Sequence, residues 1–219
     1  MSQGCRRVYV RCRRAWKGFV RSTSVLAIAG AALVGGLAPD GGVQVGRDAH
    51  ATVSVLMTLD ELVTSSGRAI VAQPVERYSK WEELGGAKRI VTYTRLVVEE
   101  TVFGAAKDEK PADIWVRTLG GKVDGIGQHV AGEASFTLGE TSLIFLGKAG
   151  DANVVIGMAQ GHFPLLTAGE DRVLTSSPDT GTLIPRKKTE PPKSARDELL
   201  GETLTLARTK ILKLKKASK

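Results

Sequence analysis

Short apolar runs alternate with glycine- and proline-marked turns along this chain, and the period of the runs changes twice. From Met57 the pattern is helical. Thr58-Leu59-Asp60-Glu61-Leu62-Val63 sets a capping threonine three residues ahead of a glutamate, the spacing at which each side chain satisfies the other's backbone N–H at a helix start. Gly67 ends this helix. The period then becomes two. Ile70-Val71-Ala72, Val75 and Tyr78 read as a strand over residues 69–81. Pro74 lies within it and lacks an N–H, so it demands an edge position or a bulge. Gly85-Gly86 turns the chain into the clearest strand, residues 89–103, rich in valine, threonine and tyrosine. Ile90, Thr92, Thr94, Leu96 and Val98 share one face; Val91, Tyr93, Arg95, Val97 and Glu99 share the other. Both faces carry apolar residues, which predicts a central strand. Further strands are predicted at residues 113–119, 141–146, 154–158, 162–166 and 172–175.

Short strands at this spacing, with turn signals between, predict an all-β domain over residues 52–177, a small antiparallel barrel or sandwich. Residues 178–193 contain four prolines and read as a linker. The last segment, residues 194–219, reads as a basic amphipathic helix. Ser194 caps it, Asp197 and Glu198 fall in its first turn and lysines crowd its last, as the helix dipole favours. Gly201 weakens the middle by ~1 kcal/mol.

Residues 1–51 have a different character. Seven basic residues and no acidic one precede Val25, an apolar run follows to Ala38, and Ala49-His50-Ala51 is a small-x-small site. This order is that of a secretory signal peptide and its cleavage region. The run is shorter than the ~20 residues a spanning helix needs, so cleavage is expected rather than anchoring. The chain is therefore expected outside the cytoplasm, in the periplasm or the extracellular space. Both cysteines, Cys5 and Cys12, lie in this segment. The exported part then has no disulfide, thiol nucleophile or cysteine metal site.

Charge changes the picture further. The whole chain is +8, but residues 52–185 are −5 and residues 186–219 are +7. An acidic body argues against a nucleic-acid partner. The basic tail reads as a solvated helix face, or as a surface that docks on an acidic body or on anionic membrane, the latter through Lys210, Lys213, Lys215, Lys216 and Lys219.

Residues 120–132 form a glycine-rich loop, GGKVDGIGQHVAG. Glycines permit backbone conformations that could cradle an anion. The nucleotide motifs do not match: no Lys-Ser follows as in a P-loop, and Val130 stands where a dinucleotide fingerprint needs glycine. The loop reads as a strand connection or a ligand-binding loop. Its candidate binding residues are Gly120, Gly121, Gly125, Gly127, Gln128 and His129, joined by Gln160 and His162 from the next turn. His162 is expected at a strand end, half exposed. Neither histidine has a neighbour at metal-ligand spacing, and no nucleophile elbow is present. No catalytic residue, metal site or cofactor is expected.

Several motifs carry a resemblance: Ser79-Lys80-Trp81-Glu82, Ile90-Val91-Thr92-Tyr93, Val98-Glu99-Glu100 with Gly104, the glycine-rich loop, Phe136-Thr137-Leu138-Gly139-Glu140, Ile144-Phe145-Leu146 and Gly157-Met158-Ala159-Gln160-Gly161-His162-Phe163. Over residues 57–166 the chain resembles a family of uncharacterised exported bacterial proteins of the myxobacterial type. Its strand-and-turn order is also distantly similar to the oligonucleotide-binding (OB) type barrel of netrin and metalloprotease-inhibitor modules. That resemblance implies a barrel. It does not carry inhibition, because those modules use an N-terminal cysteine and several disulfides.

The leading expectation is a non-enzymatic binding module whose ligand is another exported protein. The alternatives are a hydrolase pairing His129 or His162 with Asp124 or Glu133, and an envelope protein bound to anionic lipid through the basic tail.

Overall fold

The computed structural model describes residues 53–104, 113–169, 171–186 and 192–218. The expected signal segment, residues 1–51, lies outside them. A short strand β1 (Val53–Val55) leads to helix α1 (Leu59–Ser65). The capping box forms as the spacing predicts: Glu61 N donates to Thr58 Oγ1 at 3.2 Å and Thr58 N donates to Glu61 Oε2 at 2.9 Å.

Strands β2 (Arg68–Leu84) and β3 (Ala87–Phe103) make one long hairpin, 17 residues on each arm. Gly85 and Gly86 turn it with φ of 61° and 75°, the left-handed pair that matches strand twist. The ladder shifts register between Pro74 and Glu76, so the proline sits at a bulge. Strand β4 (Ile114–Leu119) pairs with β3, which makes β3 an interior strand.

The glycine-rich loop is more ordered than its composition suggests. It forms a small hairpin of β5 (Gly121–Val123) and β6 (Ile126–Gln128), turned by Asp124 and Gly125 with φ of 50° and 81°. The chain continues through β7 (Ser142–Ala149), β8 (Ala152–Val155), a 3-10 turn at Met158–Gly161, β9 (His162–Ala168) and β10 (Asp171–Leu174).

The result is a β-rich fold with few helices. Its main sheet is mixed, in the order β10-β9-β7-β2-β3-β4-β8, where an all-antiparallel arrangement was expected. Strand β7 also pairs with β8, and β8 meets β4 in parallel at Val116–Asn153. The pairings β2–β3–β4–β8–β7–β2 therefore run in a ring.

Two apolar clusters explain why the predicted strands looked apolar on both faces. Ile70, Ala72, Leu96, Val98, Val116, Ile144 and Leu146 pack together, with Phe136 from the β6–β7 segment among them. The alternate residues Ala69, Val71, Leu143 and Phe145 point the other way, into a cluster with the helices. The start of β2, Ala69 to Ala72, and the first part of β7, Leu143 to Leu146, are thus covered on both sides, and these stretches read as continuous apolar runs.

The C-terminal segment departs from the expected single helix. It forms α2 (Ala195–Leu199) and α3 (Leu204–Ala217). Gly201 adopts φ of 79° between them, and Thr203 caps α3. The break has a use: Gly201 N donates to Leu174 O and Leu174 N to Glu202 O, at 2.9 and 3.0 Å. The open edge of β10 is closed by this backbone, which removes a site for unwanted strand pairing. Leu204, Ala207 and Ile211 of α3 are buried in the helical cluster. The expected linker also holds structure: β11 (Thr182–Ile184) pairs in parallel with β1. Its pattern was hidden because three residues are too few to show a period.

Candidate binding site

The ring changes character towards one end. On β3, Thr94 and Thr92 continue the face of Leu96 and Val98; on β4, Thr118 continues the face of Val116. Hydroxyls thus replace methyl groups, and a cleft of about 300 Å³ opens there. Thr92 Oγ1 donates to Gly120 O at 2.7 Å and Thr118 Oγ1 to Thr92 O at 3.4 Å. Phe136 and Ala134 also line the cleft, next to the apolar cluster to which they belong.

The glycine-rich hairpin, packed against Thr92, supplies a further part of the lining. Gly120, Gly121, Gln128 and His129 all line the cleft. Gly121 has φ of 134°, and a Cβ there would overlap Thr92 Oγ1 and Ser79 Oγ. Glycine is needed at this point for close approach of the hairpin to the sheet. Gln128 Oε1 accepts from Ile90 N at 2.8 Å, which pins the hairpin to β3. His129 is exposed, and its Nε2 stands 3.2 Å from Asp179 Oδ2. Asp179 Oδ1 accepts from Gly181 N at 3.1 Å, so this aspartate holds its own loop as well as the histidine.

Gly125 and Gly127 do not line the cleft; Gly125 serves the hairpin turn. Gln160 and His162 were expected beside the loop as ligand-binding residues, and both are instead 2% exposed. Gln160 Nε2 donates to Val55 O at 3.0 Å and its Oε1 accepts from Met57 N at 2.9 Å. It clamps the start of the described chain to the 3-10 turn. His162 was expected half exposed. It is enclosed between Ser177 Oγ, 3.0 Å from Nδ1, and Ser142 Oγ, 3.1 Å from Nε2, with the Phe136 ring at 4.8 Å. Burial lowers its pKa to about 4.

Neither histidine is hydrogen-bonded to Asp124 or Glu133, although His129 and Glu133 line the same cleft. His129 faces Asp179 rather than Asp124 or Glu133, and His162 has serine hydroxyls on both nitrogens. Asp124 stands in the hairpin turn. Among the described residues no three potential ligands converge on a metal position.

Arg77, Thr92, Thr94, Thr118 and Asp179 are cleft residues that the motif reading passed over. Part of the signal was present. Two threonines share a strand face with Ile90, Leu96 and Val98, and hydroxyls on an otherwise apolar face mark where a core ends.

The basic tail is partly engaged by the fold. Lys215 Nζ donates to Val63 O at 3.2 Å and Ser66 O at 3.1 Å and lies 4.5 Å from the Phe103 ring centre. It satisfies carbonyls at the end of α1, which has no basic residue in its own last turn. Lys210 Nζ binds Glu202 and the Glu198 carbonyl. Lys213 and Lys216 are exposed, and Lys219 lies outside the described residues. Lys215→Ala should lower the unfolding free energy by about 2 kcal/mol, while Lys213→Ala changes it by less than about 0.5 kcal/mol. Urea unfolding of the two variants measures the difference; equal effects would deny Lys215 its capping role. No helix among the described residues is long and apolar enough to cross a membrane.

Comparison of the chain with family models, curated proteins and solved structures finds no match.

Proposed function

We propose that this chain is an exported, non-enzymatic binding module that takes a segment of another exported protein into the cleft at the hydroxyl-lined end of its strand ring. The observation that carries this reading is the convergence of Gly120, Gly121, Gln128 and His129 with Thr92, Thr94 and Thr118 on one cleft. Export rests on the basic leader, apolar run and small-x-small site of residues 1–51. The pairing order β2–β3–β4–β8–β7, with a parallel step from β4 to β8, is compatible with an OB-type barrel, and we read the ring as one. Loops at the mouth of such a barrel are common ligand sites because the strands hold them while leaving their tips accessible.

A photo-reactive amino acid placed at position 129 tests the reading in cells that export the full chain. The control is the same group at Leu166, which is exposed on β9 and does not line the cleft. The expected result is a discrete protein adduct from position 129 and none from position 166. No adduct from 129, or identical adducts from both positions, would remove the cleft as a protein-binding site.

A further inference from the structure

Glu133 forms no ion pair among the described residues. It stands on the segment between β6 and β7, where it lines both the cleft and a second cavity of about 230 Å³. Its carboxylate accepts from Ala134 N at 3.2 Å and also from the backbone of Leu119. Burial raises its pKa from the ordinary glutamate value, and those two backbone bonds only partly oppose the rise.

Among the described residues no cation pairs with it. Arg117, on the wall of the second cavity, turns to Glu82 at 3.4 Å. Arg77, on the wall of the cleft, reaches the Phe136 carbonyl at 3.5 Å. A desolvated carboxylate without a counter-charge is costly. It is also well suited to receive one, because the desolvation has already been met by the fold. The hydroxyls of Thr92, Thr94 and Thr118 in the same cleft offer further acceptors for N–H groups. The acidic balance of residues 52–185, −5, attracts a cation at longer range. An anionic ligand would meet Glu133 as a like charge.

We propose that Glu133 receives the basic side chain, lysine or arginine, of the protein segment that occupies the cleft. This deepens the binding-module reading above and rests on it. The partner segment would place its cation between Glu133 and the threonine hydroxyls. Arg77 at the rim would disfavour a second basic residue beside the first.

The test uses two blocked tripeptides, acetyl-Ala-Lys-Ala-amide and acetyl-Ala-norleucine-Ala-amide. They match in length and differ in charge. NMR shift changes at the Thr94, Thr118 and Glu133 amides of the purified chain report binding. The lysine peptide should move these signals and the norleucine peptide should not. Glu133→Gln keeps the shape and one acceptor oxygen for the Ala134 N–H while removing the charge, and should weaken the lysine peptide by about tenfold or more. Equal shifts from the two peptides, or unchanged binding by Glu133→Gln, would overturn the cation assignment and leave the cleft as a binding site. Silence from both peptides, with a position-129 adduct still formed in cells, would do the same. Silence together with no adduct would remove both readings. The wild-type comparison of the two peptides does not depend on the variant folding.

Discussion

Replacing Gln160 by alanine is expected to lower the unfolding free energy by about 3 kcal/mol, although sequence reading assigns this residue to a ligand surface. The side chain is buried, and both ends of its amide are used by backbone groups more than 100 residues away in sequence, Val55 O and Met57 N. Alanine leaves the partly buried Met57 N–H and Val55 C=O without these partners and opens a cavity where the buried side chain stood; an unsatisfied buried group costs about 1–3 kcal/mol. The loss spreads along connected bonds. Met57 O accepts from Ala195 N at the start of α2, and Leu56 N donates to Ile184 O beside the β1–β11 pair. Gln160→Glu keeps an acceptor for Met57 N but sets a carboxylate oxygen against the Val55 carbonyl, so it should be no better than alanine. Urea unfolding measures the stability, and hydrogen exchange at the Leu56 and Ala195 amides locates the loss. A change under about 1 kcal/mol with unchanged exchange at those amides would mean that the clamp contributes little.

Acidification should expose the second large effect. His162 is enclosed, and burial lowers its pKa from 6.5 to about 4. Above pH 6.5 the ring is neutral in both folded and unfolded chains, and its contribution to stability is constant. Between 6.5 and 4 the unfolded chain takes up a proton that the folded chain refuses. Stability therefore falls as pH drops through this window and levels off below 4. At about 1.4 kcal/mol per pH unit the loss from this group is about 3 kcal/mol. Glu133 acts in the opposite sense. Its raised pKa lets the folded chain bind a proton first, which adds stability on acidification. Asp197 adds to the loss at lower pH, since its hydrogen bonds with the Ser194 hydroxyl and N–H hold its pKa down. Subtraction isolates the histidine. His162→Gln retains a hydrogen-bonding group between Ser142 and Ser177 but cannot titrate, so its stability curve should be about 3 kcal/mol flatter between pH 6.5 and 4 than the parent's. Parallel curves for the two proteins would show that His162 is not held neutral.

The two effects share a cause. Gln160 and His162 belong to one motif, residues 157–163, whose polar residues suggest a surface. The chain instead folds them inward, because each meets partners that local sequence does not reveal. Ser142 lies 20 residues from His162 and Ser177 lies 15, on β7 and on the loop after β10. A polar residue satisfied by such partners has the same one-dimensional pattern as a solvated one.

What the sequence determined by itself is what depends on residues a few places apart. The Thr58–Glu61 box fixes the start of α1, Gly85-Gly86 fixes the long hairpin, and Pro74 requires the bulge that the ladder accommodates. Two-fold periodicity gives the β-rich class and the interior position of β3. Backbone sterics and the absence of a proline N–H act within a turn or two, so they are legible before folding. Tertiary structure alone decided which faces met. It divided Ile70 and Ala72 from Ala69 and Val71 into separate clusters and split the last helix at Gly201 to cover the edge of β10. It also drew β11 out of an apparent linker to pair with β1, and set Glu133 in the wall of a cleft with no cation beside it among the described residues. These outcomes depend on burial and on hydrogen-bond partners tens of residues apart. Their free energies arise only once the chain has closed on itself, so no window of sequence contains them.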